Sequence, residues 1–101
     1  MIRNRDIVVD GDSILMEYYD PPSSDKFYFV KLVEYGGIVS VVRIWGRTGA
    51  KNPGFQETKY STVNTARVHA HKLIDSKLIK GYEIKSVSGD LSNYYLVQVS
   101  R

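Results

Sequence analysis

The strongest candidates for a chemical role in this chain are Arg43, Trp45 and Arg47. They lie within a run of β-branched and aromatic residues, 39–47, that is typical of a strand. Because a strand sends alternate side chains to opposite faces, the two arginines and the tryptophan share one face. An indole can stack on a base or a sugar, and guanidinium groups match phosphate. The pattern therefore indicates contact with a nucleic acid.

The same three residues also have a plainer interpretation. A tryptophan between two arginines can be an ordinary strand residue shielded by cation–π contacts, which are common in folded proteins. These residues alone leave both interpretations open. The surrounding elements must decide which face of the strand remains accessible.

Length and composition limit the number of domains and the kinds of chemistry that this chain can have. A chain of 101 residues predicts one domain with a single core. It contains no cysteine, which excludes disulfides, thiolate nucleophiles and cysteine-based zinc sites. No apolar run approaches the roughly 18 residues of a membrane span, and no secretory signal is evident. We therefore expect a soluble protein of the cytoplasm, or of a nucleoid or nucleus, with no membrane partner.

The charge is unevenly distributed along the chain. The net charge is +3, but residues 1–42 carry −3 and residues 43–101 carry +6. The positive half begins at Arg43. Such an asymmetry is often a solvated face, yet it also favours a polyanionic partner.

Turn residues divide the first half of the chain into strands. Asp10-Gly11 predicts an N-terminal hairpin over residues 7–19. A proline pair then interrupts the chain, and a strand is expected over residues 27–35. Gly36-Gly37 turns this strand into the strand over residues 39–47, as a second hairpin.

The second half continues with a loop, a strand and a helix. Residues 48–54 form the loop, with Lys51 near its tip. A strand over residues 55–60 places Phe55, Glu57 and Lys59 on one face and the intervening side chains on the other. A final strand is predicted over residues 94–99.

The predicted helix runs from residue 63 to about residue 80. Ser61 or Thr62 is the candidate N-cap, and Gly81 suits the left-handed position after the last turn. The helix carries an apolar stripe that should lie on the sheet: Val63, Ala66, Ala70, Leu73, Ile74 and Leu78. Lys77 falls within this stripe, so its methylenes should be covered while its ammonium reaches the edge.

These elements predict an α+β fold, a mostly antiparallel sheet with one long helix packed on one face. We expect the helix to cover the face of Val42 and Ile44. In that arrangement Trp45 and its arginines lie on the uncovered face.

Several short motifs occur in a fixed order along the chain: Lys26-Phe27-Tyr28, Trp45-Gly46-Arg47-Thr48-Gly49, Gly54-Phe55-Gln56, Thr58-Lys59-Tyr60, and Lys72-Leu73-Ile74 followed by Lys77 and Lys80-Gly81-Tyr82. Together they resemble the WGR domain. This family occurs in DNA-damage-dependent poly(ADP-ribose) polymerases and in bacterial proteins similar to the molybdate-metabolism regulator. The core of the resemblance spans residues 26–82, and the whole chain, residues 1–101, is interpreted as one such domain.

The resemblance implies DNA binding, at strand breaks in the polymerases. There the signature tryptophan packs against a terminal nucleotide sugar, and the signature arginine helps to hold the module on DNA and on neighbouring domains. By position these roles fall to Trp45 and Arg47, and Arg43 matches a basic position in some members. The full set of candidate nucleic-acid contacts is Trp45, Arg47, Arg43, Lys51, Lys59 and Gln56.

The sequence offers little for catalysis, so we expect a non-catalytic module without cofactor or metal. His69 and His71 lie two residues apart, about 200° around a helix, which does not suit a shared metal. Asp10 and Asp12 flank a glycine, where a turn role is favoured. The alternative function is a protein-interaction adaptor that docks on a partner enzyme through the Trp45 face.

Overall fold

A computed structural model describes residues 12–22 and 24–98, which form one antiparallel sheet and one long helix packed on it. The elements in chain order are β1 (Ser13–Asp20), β2 (Ser24–Tyr35), β3 (Ile38–Arg47), β4 (Gly54–Tyr60), α1 (Val63–Ile79) and β5 (Glu83–Ser88), followed by a short 3-10 turn (Gly89–Asn93). The sheet order is β4-β3-β2-β1-β5. The predicted α+β class, mostly sheet with one helix, is confirmed.

The central hairpin sets the register of the sheet. Gly36 and Gly37 have φ values of +59° and +83°, the pair of positive angles that a two-residue type I′ turn requires. Tyr35 therefore pairs with Ile38, and counting outward pairs Tyr28 with Trp45. The predicted second hairpin is confirmed.

Of the predicted N-terminal hairpin, the second strand lies within the described residues. This strand is β1, which pairs with β2 on one side and with β5 on the other. The first strand of the predicted 7–19 hairpin, and the Asp10-Gly11 turn, lie outside the described residues.

Local signals define both ends of α1. The Thr62 hydroxyl accepts a hydrogen bond from the backbone N–H of Thr65 at 3.1 Å, so Thr62 is the N-cap. At the other end, the N–H groups of Gly81 and Tyr82 donate to the carbonyls of Leu78 and Lys77, the pattern of a Schellman motif. Gly81 has φ +104°, which favours glycine. Among the described residues no helix is long and apolar enough to cross a bilayer.

The apolar stripe of α1 packs on the sheet as predicted. Ala66, Ala70 and Ile74 are fully buried. The other three stripe residues pack against the same core: Val63, Leu73 and Leu78.

The face that the helix covers differs from the expectation. The core beneath α1 contains Val39 and Val41, and Trp45 lies on this same face and packs against the edge of that core. The expectation that α1 covers Val42 and Ile44, and leaves Trp45 on the uncovered face, is therefore wrong.

The valines of β3 explain this error. Val39, Val41 and Val42 are each at most 3% exposed, although Val42 points to the opposite face from the other two. A strand that is apolar on both faces does not indicate which face a helix will cover. The adjoining strands decide it, because the side chains that complete the core lie on the Val41 side: Ile14, Met16, Val30, Leu32 and Ile84.

The predicted C-terminal strand is also wrong over its described part, residues 94–98, which are irregular. The strand that closes this side of the sheet is β5, which precedes the 3-10 turn. Tyr95 is 9% exposed, and its hydroxyl donates to Asp75 of α1 and contacts His71 Nδ1, both at 2.8 Å. Anchoring this side chain on the helix directs the segment away from a regular strand.

An ion-pair network surrounds the partly buried Arg67 side chain of α1. Asp12 is 5% exposed and accepts hydrogen bonds from Arg67 at 3.1 Å and from the backbone N–H of Asp90 at 2.7 Å. The Arg67 Nε also lies 3.7 Å from the Asp90 carboxylate. Arg67 therefore joins the start of β1, the helix and the 3-10 turn.

Candidate nucleic-acid interface

Arg43, Trp45 and Arg47 occupy alternate positions of β3, so the prediction that they share one face agrees with the sheet register. Trp45 is the centre of this row. It pairs with Tyr28 of β2 on one side and with Gly54 of β4 on the other.

Gly54 supports the Trp45 ring. A Cβ atom built on Gly54 would lie 2.5 Å from the indole Cζ2 and 2.7 Å from Nε1, closer than non-bonded atoms approach. The indole therefore lies over the Gly54 backbone, and any other residue at this position would displace it. A glycine within a strand commonly marks such a close approach.

Tyr28 flanks the tryptophan on its other side. The two ring centroids are 6.2 Å apart and the ring planes differ by 25°. Tyr28 is 3% exposed, whereas Trp45 remains partly exposed. The indole thus sits at the border between core and solvent, with one ring face on Gly54 and with surface left for a ligand.

Arg43 is held beside the indole by neutral partners. Its guanidinium carbon lies 5.4 Å from the Trp45 ring centroid. One terminal nitrogen donates to the Tyr28 hydroxyl at 3.1 Å, the other donates to the Gln56 side-chain oxygen, and Nε is buried without a hydrogen-bond partner. Since neither acceptor is an anion, the positive charge of Arg43 is not neutralised by its hydrogen bonds.

The C-terminal end of α1 brings further cations to the same aromatic surface. The Lys77 ammonium lies 4.5 Å from the Tyr28 ring centroid and 5.7 Å from that of Tyr82. Lys26 of β2 lies 5.2 Å from the ring of Tyr18. We refer to these residues together as the basic–aromatic cluster: Tyr18, Lys26, Tyr28, Arg43, Trp45, Lys77 and Tyr82.

The cations of the basic–aromatic cluster repel one another. Burial, and then the charges of Lys80, Lys26 and Arg43, lower the pKa of Lys77 below its ordinary value. The salt bridges within residues 12–22 and 24–98 use Arg67 and Lys85 as their cations, and none reaches this cluster. An anion placed here would relieve the repulsion, which is the electrostatic requirement of a phosphate site.

Arg47 and Lys51 lie beyond the end of this surface and are exposed. The loop that carries Lys51 is tied to β2, because Thr48 donates its hydroxyl to the Asp25 carboxylate at 2.8 Å and its N–H to the Asp25 carbonyl at 3.0 Å. Arg47 pairs with Lys26 across the strands. Both residues are therefore exposed cations beyond the β3 end of the basic–aromatic cluster.

The remaining two candidates fall on opposite faces of β4. Gln56 pairs with Arg43 and binds it, so it belongs to the helix side of the sheet. Lys59 alternates with Gln56 and lies on the other face with Phe55 and Glu57. The fold thus brings Arg43, Trp45 and Gln56 into contact and separates Lys59 from them.

Sequence reasoning did not assign five residues of the basic–aromatic cluster to it: Tyr18, Lys26, Tyr28, Lys77 and Tyr82. The signal for Tyr28 was available, since a two-residue turn at Gly36-Gly37 already pairs residue 28 with residue 45. Lys77 was recognised as an edge lysine of the helix stripe. Its link to Trp45 depends on which sheet face the helix covers.

The two histidines of α1 point to different tyrosines. His69 Nδ1 shares a short hydrogen bond with the Tyr60 hydroxyl, and His71 binds Tyr95. Burial, and then the charges of Arg43 and Lys72, lower the pKa of His69. Within the described ranges no group of three His, Cys, Asp or Glu side chains is placed to hold a metal ion.

Comparison with known proteins identifies the family of this chain. No curated protein and no solved structure matches the chain. The family model of the WGR domain matches residues 13–90, from the start of β1 into the 3-10 turn. The matched span contains the Trp45–Gly46–Arg47 signature together with β4 and α1, which form the surface around it, and the chain therefore belongs to the WGR domain family.

Proposed function

We propose that this protein is a non-catalytic nucleic-acid-binding module that takes DNA, including DNA ends, at the basic–aromatic cluster. The observation that carries the proposal is a partly exposed indole beside several cations that no carboxylate of the described chain neutralises. The WGR family consists of small binding modules of the nucleic-acid-binding type.

Each residue would have a separate task. The exposed surface of Trp45 would stack on a terminal base or sugar, which favours nucleic acid without a strong sequence preference. Arg43, held by Tyr28 and Gln56, would present its charge beside the stacked nucleotide. Lys77, with Arg47 and Lys51 further out, would contact phosphates and fix the position of the strand.

The test replaces Trp45, whose ring provides the proposed stacking surface. Trp45→Ala should weaken binding to a labelled duplex by about 1 to 3 kcal/mol, the usual contribution of one base stacked on an aromatic ring. Fluorescence anisotropy measures the affinity, and circular dichroism checks the fold. Tyr35→Ala is the matched control, because Tyr35 is a 55% exposed aromatic residue at the opposite end of β2 and should leave affinity unchanged.

Salt dependence separates this proposal from an adaptor that docks on a protein. Phosphate contacts make affinity fall steeply with salt, whereas a protein interface loses much less. The titrations therefore use duplexes with and without a 5′ phosphate at several salt concentrations. A folded Trp45→Ala protein that binds both duplexes as well as the wild type contradicts the proposal.

A further inference from the structure

The two edge strands of the sheet, β5 and β4, differ in whether another backbone segment hydrogen-bonds to them. At β5, the N–H of Gln98 donates to the Ile84 carbonyl at 2.9 Å, and the Gln98 side chain accepts from the Ile84 N–H at 2.8 Å. At β4, residues 54–60 pair with β3, and no other backbone segment of the described chain hydrogen-bonds to them. An uncovered edge strand is a template for pairing with another strand.

The side chains of β4 also indicate which strand would fit. Glu57 and Lys59 lie on the face of β4 opposite the helix. Thr58, which lies between them in the sequence, points to the helix face. Neither Glu57 nor Lys59 forms an ion pair with another described residue. Lys59 is exposed, and Phe55 beside them is 62% exposed.

We propose that β4 pairs with β4 of a second copy of this chain in antiparallel fashion, centred on Thr58. In this register Glu57 of each copy lies opposite Lys59 of the other, and opposite charges directly across antiparallel strands stabilise the pair. The Thr58 residues face each other on the two-fold axis. The interface is self-complementary, as a two-fold dimer requires.

Neighbouring registers lack this match. Centring the pair on Glu57 or on Lys59 sets two like charges directly opposite each other, which destabilises a strand pair. Centring it on Gln56 leaves Lys59 without an acidic partner. The sequence of β4 thus selects one register of self-pairing among those that its length allows.

The proposed dimer has a consequence for the basic–aromatic cluster. A two-fold axis perpendicular to the joined sheet keeps both helices, and both Trp45 rings, on the same side. The two Gly54 positions would lie about 27 Å apart along the strands, at roughly 3.4 Å per residue. The dimer would carry two basic–aromatic clusters on the same side of the joined sheet. Its formation does not depend on whether these clusters bind nucleic acid.

Single cysteines test the register, because the natural chain contains no cysteine. Thr58→Cys places two thiols across the axis, where a disulfide can form, and mild oxidation should convert most of the protein to a covalent dimer. Gln56→Cys is the matched control on the same strand and face. Its two copies would lie about 14 Å apart, too far to cross-link. Non-reducing electrophoresis measures the outcome, and equal cross-linking of the two variants overturns the register.

Charge reversal tests the interface in solution without modification. In sedimentation equilibrium, Lys59→Glu or Glu57→Lys should weaken wild-type dimerisation at least about tenfold, since each change creates two repulsive pairs. The double variant should restore dimerisation. Lys72→Glu, at an exposed position of α1, controls for net charge. A wild type that stays monomeric at all concentrations, or a double variant no better than the singles, overturns the proposal.

Discussion

Arg43 and Arg67 are two partly buried arginines whose neighbours differ in charge. Each has a buried Nε without a hydrogen-bond partner. Arg67 lies against two carboxylates, those of Asp12 and Asp90, whereas Arg43 donates to a phenol and an amide oxygen. The first arrangement neutralises a charge inside the fold, and the second retains a positive charge at the surface.

The charge of the neighbouring groups distinguishes a structural cation from a binding one. A buried cation with a carboxylate partner contributes to the fold, and its removal leaves an unpaired anion. A cation that lies over aromatic rings and is repelled by neighbouring cations keeps its charge available for an anion. Lys77 belongs to the second class, since its lowered pKa reports burial first and then repulsion by Lys80, Lys26 and Arg43.

Removing Arg67 should have the largest effect on stability. Arg67→Ala leaves the 5% exposed Asp12 carboxylate without its cation, although the Asp90 N–H still binds it. We expect the free energy of unfolding to fall by roughly 2 kcal/mol, less than for a fully buried pair because Arg67 is partly exposed. Urea unfolding measures this loss. The folded fraction should bind duplex DNA as the wild type does, and a large loss of its affinity would contradict a purely structural role for Arg67.

Removing the charge of Lys77 should affect DNA binding and not stability, the reverse of the Arg67 variant. Lys77→Met keeps an unbranched apolar side chain over Tyr28 and removes a repelled charge, so the free energy of unfolding should stay constant or rise slightly. The dependence of the logarithm of affinity on the logarithm of salt should become shallower by about one unit, as for one lost phosphate contact. Urea unfolding and salt titrations provide both values. A marked loss of stability would place Lys77 in the structural class.

The smallest expected effect is a shift in the pKa of His69, which responds to the charge of Arg43. Burial and the nearby charges of Arg43 and Lys72 lower the pKa of His69 from 6.5. Arg43→Gln should raise this pKa, and DNA binding to the wild type should raise it too, because an added anion offsets the same field. Arg67→Gln should leave it unchanged. Two-dimensional NMR of the imidazole protons across a pH series measures the shift.

The sign of the accompanying stability change follows from linkage. Below the unfolded-state pKa, near 6.5, the unfolded chain binds a proton at His69 that the folded chain does not yet accept. The free energy of unfolding therefore decreases as the pH falls through this window, down to the lowered folded-state value. His69→Gln should remove this part of the pH dependence, and a wild type without any such slope would contradict it.

Local signals in the sequence predicted much of the fold. The Gly36-Gly37 turn, the Thr62 cap and the helix stripe each depend on a few neighbouring residues, and each is confirmed. The shared face of Arg43 and Trp45 likewise follows from strand alternation.

The features that the sequence did not predict depend on contacts between residues far apart in the chain. The covered face of β3 is decided by side chains of β1, β2 and β5, because valines line both of its faces. The irregular path of residues 94–98 depends on Tyr95 reaching Asp75 of the helix. The support of Trp45 by Gly54 depends on the direction of one indole ring, which a spacing pattern does not contain.

The position of the indole over Gly54 also determines how this protein can be observed. Trp45 is the sole tryptophan of the chain, and it lies beside Arg43 and Tyr28 at the proposed interface. Its emission therefore comes from one place, without background from other indoles. A ligand that stacks there alters the emitted light directly, so occupancy can be followed in an unlabelled protein.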